Sequence, residues 1–297
     1  MTAKDRWIYK LLSMMVAVLG RLSLDRGRSV SAVLGGVWFT LDRHHSKITV
    51  DNLTWAYGTT MNRDRVLRLA RRVFANTVRM LFEYAWYYTT GIKNCDRYLS
   101  FRGIEHLARA HSRGKGVLCL SGHLGNWEMA VSAVPLTRLP VSAVYRTIKS
   151  KAMDAFIYDN RARAGCRLFP LHHALDAVME ALDRGDLVGL LVDQNSGHNK
   201  GVFVDFFGRK ACSSKGLARL ALSTGAPVVP VFIYREKSRY VMEAQPELPL
   251  VFTGDENTDV RVNTQNYQMV IETMVRRYPD QWFWIHKRWK TRPLNQD

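Results

Sequence analysis

Val117-Leu118-Cys119-Leu120-Ser121-Gly122-His123-Leu124-Gly125-Asn126-Trp127-Glu128-Met129-Ala130 opens as a short apolar run and breaks at a Ser-Gly step. A histidine follows at once, and a helix-like segment begins around Asn126. An apolar run of this length, closed by a turn signal, reads as a buried strand. Open α/β sheets bind ligands beyond the carboxyl ends of their strands, so His123 stands where a binding crevice is expected. Glu128 lies in the first turn of the following helix. A histidine has an ordinary pKa of about 6.5 and suits general-base work on an alcohol near neutral pH. His-x4-Glu alone is a short pattern, and a glutamate in a first helical turn favours the helix dipole without any catalysis. The strand end and the glycine break give the pair its weight.

Outward from this stretch the sequence alternates between strand and helix patterns. Residues 98–102 read as a strand and 104–111 as a helix; 117–120 is a strand and 126–134 a helix. A strand over 141–145 precedes a helix over 150–164. A helix over 172–184 leads into a strand over 187–192, and a helix over 213–224 into a strand over 227–234. Residues 239–244 read as an edge strand and 259–278 as the last strong helix. This order predicts an α/β fold with a mixed, largely parallel central sheet flanked by helices. Before it, residues 63–89 carry Val66, Leu69, Val73, Met80, Leu81 and Tyr84 at helical spacing, with arginines on much of the rest and Gly91 as the stop.

The N-terminus holds two apolar runs, Leu11–Gly20 and Ser29–Leu41, both too short for the ~20 residues that span a bilayer. Apolar helices lying in the membrane interface, with lysines and arginines at the headgroups, fit them better than a cleaved signal; buried core helices or a single short spanning anchor extended by its flanks are the alternatives. The expected organisation is membrane-associating helices over 1–45 and a catalytic domain over 46–297, with 46–97 as its helical lead-in.

The chain carries a formal charge of +17. Residues 1–90 hold 14 Lys+Arg against 6 Asp+Glu, so much of the excess sits in under a third of the chain. Such a surplus points to anionic partners: a lipid surface, an acidic protein or nucleic acid. No recognition-helix or ribonucleoprotein signature supports nucleic acid. The cysteines (Cys95, Cys119, Cys166, Cys212) have no metal or disulfide spacing, and the His44-His45 and His172-His173 pairs chelate poorly, so no metal is expected.

There is no G-x-G-x-x-G, Walker loop, H-E-x-x-H or G-x-S-x-G. Without a placed serine or cysteine nucleophile, His123 is expected to deprotonate a substrate hydroxyl directly, with Glu128 fixing its tautomer. Backbone N–H groups around Gly125 and Asn126 are candidate donors to an oxyanion.

Ser121-Gly-His-Leu-Gly-Asn-Trp-Glu128 resembles the first motif of the late acyltransferases of lipid A biosynthesis, within the glycerolipid acyltransferase superfamily. Val144-Tyr145-Arg146 resembles the second block. Leu191-Val-Asp-Gln-Asn195 with Val202–Gly208 resembles the third, and Pro227–Val231 the fourth. Tyr278-Pro279 through Pro293 resembles the family's tail. The resemblance implies a glycerolipid acyltransferase-like fold at the cytoplasmic face of a bacterial inner membrane. It implies transfer of a fatty acyl chain from acyl-carrier protein or CoA to a lipid A precursor hydroxyl, with no other cofactor. His123 would be the base and Glu128 its partner, with Arg146 and Asp193 as further active-site residues. Arg209 and Lys215 are candidate contacts for the acidic carrier and the anionic glycolipid. Asn195 departs from the family pattern, where a second acidic residue is common. Another acceptor (a phosphoinositide mannoside, a lysophospholipid or an aminolipid) is the alternative within the class.

Overall fold

The computed structural model describes residues 1–90, 98–132, 139–237 and 239–294. Four helices lead the chain: α1 (Ala3–Leu19), α2 (Leu24–Leu41), α3 (Arg43–Tyr57) and α4 (Arg63–Thr90). Then come β1 (Leu99–Arg102), α5 (Ile104–His111), β2 (Val117–Ser121), α6 (Glu128–Ser132), β3 (Val141–Tyr145), α7 (Lys151–Arg163), β4 (Cys166–Pro170), α8 (Ala174–Asp183) and β5 (Leu187–Leu191). The remainder is β6 (Gly201–Phe206), β7 (Arg209–Ser214), α9 (Gly216–Thr224), β8 (Val228–Glu236), β9 (Arg239–Ala244) and α10 (Glu256–Arg277). The Gly91 helix stop and Cys95 lie outside the described residues.

Seven strands form one sheet in the order β1-β9-β8-β2-β5-β3-β4, parallel throughout except for β8 against β9. The expected fold class is therefore present, with three local differences. Residues 239–244 are not an edge strand, because β1 pairs on their outer side. Cys166–Pro170 adds a strand that its mixed composition hid. Residues 201–214 form a β6–β7 hairpin, so the helix expected from Ser213 starts at Gly216. Phe207 and Gly208 turn that hairpin with φ of 55° and 70°, the left-handed pair a two-residue turn requires. The Phe207 N–H donates to Glu272 Oε2 and its ring lies under the Arg276 guanidinium, which holds a bulky residue in that conformation.

The central strands bury both faces by alternation. Leu118 and Leu120 share a core with Val188, Phe232 and residues of α8, α9 and α10. Val117, Leu187, Val229 and Val231 pack instead with Leu107 and Ala110 of α5. Near-continuous apolar runs are what a parallel strand covered on both sides needs.

The N-terminal helices have an unusual polarity. α2 presents Gly27, Ser31 and Gly35 to α4, close enough that a Cβ on Gly35 would meet Ala75 Cα at 2.4 Å. Trp38 and Phe39 pack on Phe74, but the smaller apolar residues point away: Val33 is 66 % exposed, and Val30, Leu34, Val37 and Leu41 are exposed too. Trp7, Leu11, Met14, Met15 and Val18 likewise leave α1 outward. Among the described residues no single helix is long and apolar enough to cross a membrane. α1 and α2 pass together by length and composition but meet at 114°.

Candidate active site

Register delivers the site. Ser121 pairs with Leu191 at the parallel ends of β2 and β5, so the residues two further along each chain, His123 and Asp193, emerge side by side. His123 Nδ1 donates to Asp193 Oδ1 at 2.7 Å, and the His123 main-chain N–H donates to Oδ2 at 2.7 Å. The Trp282 indole N–H donates to the same Oδ2, also at 2.7 Å. Asp193 is fully buried. Burial alone would raise its pKa, but the charge of His123, the hydrogen bonds from its ring and main chain, and the charge of His286 outweigh it and hold the carboxyl well below its usual range. Gly122 permits the approach, since a Cβ there would sit 3.1 Å from Oδ2.

The other imidazole nitrogen is the one left to accept a proton. A carboxylate only accepts, so Nδ1 carries the proton and Nε2 presents a lone pair. Gln194 places its amide nitrogen 3.4 Å from Nε2, and the Trp127 ring meets the imidazole edge-on at 4.8 Å. The His123 side chain keeps 18 % of its surface exposed, so a hydroxyl can reach it. The Trp127 and Phe283 rings that meet the imidazole also line a shallow surface cleft with Val73, Thr77 and Met80.

The expected His123–Glu128 pair does not form. Glu128 is held by Arg161 of α7, Nη2 to Oε1 at 2.7 Å and Nε to Oε2 at 3.0 Å. Its position at the start of α6 turns the carboxylate towards α7, where Asn160 also donates to the Tyr84 hydroxyl. Asp193, expected as a further active-site residue, takes the place beside the imidazole. Glu128 therefore fixes α6 to α7, and Glu128→Gln is expected to destabilise the fold by about 2 kcal/mol, since both partners keep a little solvent contact. Chemical denaturation would show it, with part of the loss recovered in Glu128→Arg/Arg161→Glu.

The remaining candidates separate. Gly125 has φ of +63°, and a Cβ there would meet the Ile233 carbonyl at 2.1 Å, so the loop after His123 admits only glycine at this point. Asn126 is buried and turned inward, its Nδ2 donating to Glu83 Oε2 at 3.1 Å. Glu83 in turn pairs with Arg79 at 2.7 Å and Arg235 at 2.9 Å, so the Asn126 side chain braces the loop against α4 and β8. The Asn126 side chain is thus structural, and of the main-chain donors expected for an oxyanion the Gly125 N–H is taken by the Gln281 carbonyl. Arg146 is exposed just beyond β3 and has no ion-pair partner among the described residues. Arg209 lies over Trp55 at 4.2 Å, and Lys215 stands just before α9 without capping it; neither bonds to His123 or Asp193. Asn195 exchanges hydrogen bonds with Thr291, both at 3.0 Å, and so serves the tail rather than the histidine.

The tail is what sequence reasoning left out of the site. Gly125 N–H donates to the Gln281 carbonyl at 2.8 Å, and Phe283 N–H to the His123 carbonyl at 3.0 Å. Among the aromatic residues of the tail nothing local marks Trp282 as the one that faces Asp193. His286, further along, donates from Nδ1 to the Phe283 carbonyl at 2.8 Å. Burial above all, with Arg288 and His123 adding and Asp193 opposing, pushes its pKa down to about 4. The unfolded chain then binds a proton that the folded chain refuses between about pH 6.5 and 4. Stability is expected to fall as pH falls through that window, by up to about 3 kcal/mol. Urea midpoints at pH 7 and 4.5 measure it, and His286→Gln should flatten the dependence.

Comparison with known proteins decides the family: the bacterial lipid A biosynthesis acyltransferase family matches residues 2–291. The chain belongs to that family. This acyltransferase is 25 % identical over 243 residues to the lipid A biosynthesis acyltransferase of Haemophilus influenzae, covering 80 % of this chain and 73 % of that one. It is 26 % identical over 203 residues to the lipid A biosynthesis palmitoleoyltransferase of Escherichia coli, covering 67 % and 64 % of the two chains. A phosphatidylinositol mannoside acyltransferase of Mycolicibacterium smegmatis is 27 % identical over 190 residues, covering 63 % of this acyltransferase and 60 % of that relative. Less than two thirds of the length of the last two relatives is spanned.

Proposed function

We propose that this acyltransferase works at the cytoplasmic face of a bacterial inner membrane. It moves a fatty acyl chain from the thioester of acyl-carrier protein or CoA to a hydroxyl of a lipid A precursor. The observation that carries the reading is the His123–Asp193 pair, with Nε2 left as the acceptor nitrogen of a partly exposed ring at the end of β2, in a chain of this family. His123 Nε2 takes the proton of the acceptor hydroxyl as the oxygen attacks the thioester carbonyl. Asp193 stabilises the imidazolium that forms. The tetrahedral intermediate collapses, the C–S bond breaks, and the leaving thiolate takes the proton back from Nε2. The +17 charge favours an acidic carrier and a phosphorylated acceptor.

The purified protein, incubated with acyl-carrier protein or CoA thioesters and a lipid A precursor, is expected to give a product heavier by one acyl group in mass spectrometry. Transfer to a phosphatidylinositol mannoside instead would replace the acceptor, a reading favoured by the Mycolicibacterium relative. Hydrolysis without transfer to any lipid would sink the proposal in favour of a thioesterase.

Membrane association is supported by the outward apolar side of α1 and α2. Because α2 also covers Phe74 and Phe82 of α4, surface substitution tests it more cleanly than deleting residues 1–41. Val33→Ser, Leu34→Ser and Val37→Ser together are expected to weaken partition into phosphatidylglycerol vesicles by about 100-fold, at about 1 kcal/mol for each side chain. Co-sedimentation that is unchanged in the triple variant would place the membrane contact elsewhere.

A further inference from the structure

We infer that Trp282 is a positioning residue for acyl transfer, deciding which oxygen of Asp193 serves His123. The inference rests on the reading of His123 as the base. Asp193 leaves the end of β5 on a side chain whose last torsion is soft, so its two oxygens are not fixed by covalent geometry. Three donors fix them. Oδ2 takes the His123 main-chain N–H and the Trp282 indole N–H, which leaves Oδ1 for the imidazole. Hydrogen bonds to a buried carboxylate are charge-assisted, and each makes its oxygen a poorer proton acceptor. Trp282 thereby keeps the shared proton on His123 Nδ1 and Nε2 free to act as a base.

The indole can do this because it is itself held. Trp282 is 1 % exposed and packs edge-on against Trp284 at 4.6 Å. Its neighbours on both sides bond to the loop that carries His123, Gln281 through its carbonyl and Phe283 through its N–H. The Gln281 side chain also clamps both main-chain groups of Arg235 on β8, accepting from N–H at 2.9 Å and donating to the carbonyl at 2.9 Å. Residues 281–283 thus strap together the carboxyl ends of β2, β5 and the middle of the sheet. A tail remote in sequence sets the geometry of the catalytic pair.

The test replaces the N–H and keeps the ring. Trp282→Phe removes the donor, and β-(3-benzothienyl)alanine introduced at position 282 puts sulfur where the indole N–H was, with the same bicyclic shape. Each is expected to lower kcat by about 10- to 100-fold with both KM values within about twofold, as loss of one hydrogen bond to a charged group should. In protein labelled with ¹⁵N-histidine, the low-field Nδ1 proton of His123 should move upfield or broaden away. Full kcat and an unchanged resonance in the benzothienyl variant would overturn the inference, whatever Trp282→Phe does, because the contribution would then be packing alone. If wild-type protein transfers no acyl group to any acceptor, the functional reading fails. The Nδ1 resonance still reports whether Trp282 orients the pair.

Discussion

Asp193→Asn is expected to lower kcat by about 10³- to 10⁴-fold while leaving the fold intact. Size and shape are conserved, so the cost is one of proton placement. Two N–H donors, from the His123 main chain and Trp282, converge on Oδ2. In the variant only the amide oxygen can occupy that place, which turns the amide NH₂ towards His123 Nδ1. Nδ1 must then accept, its proton moves to Nε2, and the nitrogen that faces the acceptor hydroxyl can no longer take a proton. Steady-state transfer kinetics measure the effect, and the ¹⁵N shifts of His123 should report the exchanged tautomer. An Asp193→Asn enzyme within tenfold of wild type would show that the carboxylate does not set the histidine's tautomer.

His123→Ala carries the second large effect, a fall of about two to four orders of magnitude in kcat, as loss of a general base should. The instructive measurement is the combination. If Asp193 acts through His123, the double variant His123→Ala/Asp193→Asn should be no slower than His123→Ala alone, because the second change removes a group that has lost its object. Multiplied losses would mean that Asp193 touches the reaction by another route. The contrast with Glu128 is equally direct. Its partner is Arg161, so its replacement is expected to register first in stability.

Much of this was legible along the chain. The alternation of apolar runs and helical stretches predicts the largely parallel sheet, because strand and helix periods are local properties of sequence. The strand end at Ser121-Gly122, and His123 beyond it, follow from the same signals. The β6–β7 hairpin was hidden because Phe207 takes a left-handed turn position usually marked by glycine or asparagine, held there by Glu272 and Arg276 from α10. The partner of His123 was harder. Glu128 is near His123 in sequence and invites pairing, yet the helix it starts carries it towards Arg161.

What the sequence by itself determined is the fold class, the family motifs and the histidine, since each depends on residues within a few positions of one another. What only the tertiary structure decided is the company His123 keeps. Asp193 reaches it through the register of β2 with β5, and Trp282 reaches Asp193 through a tail that returns across the sheet. Strand register and chain return are set by packing over the whole domain, so no short stretch of sequence records them.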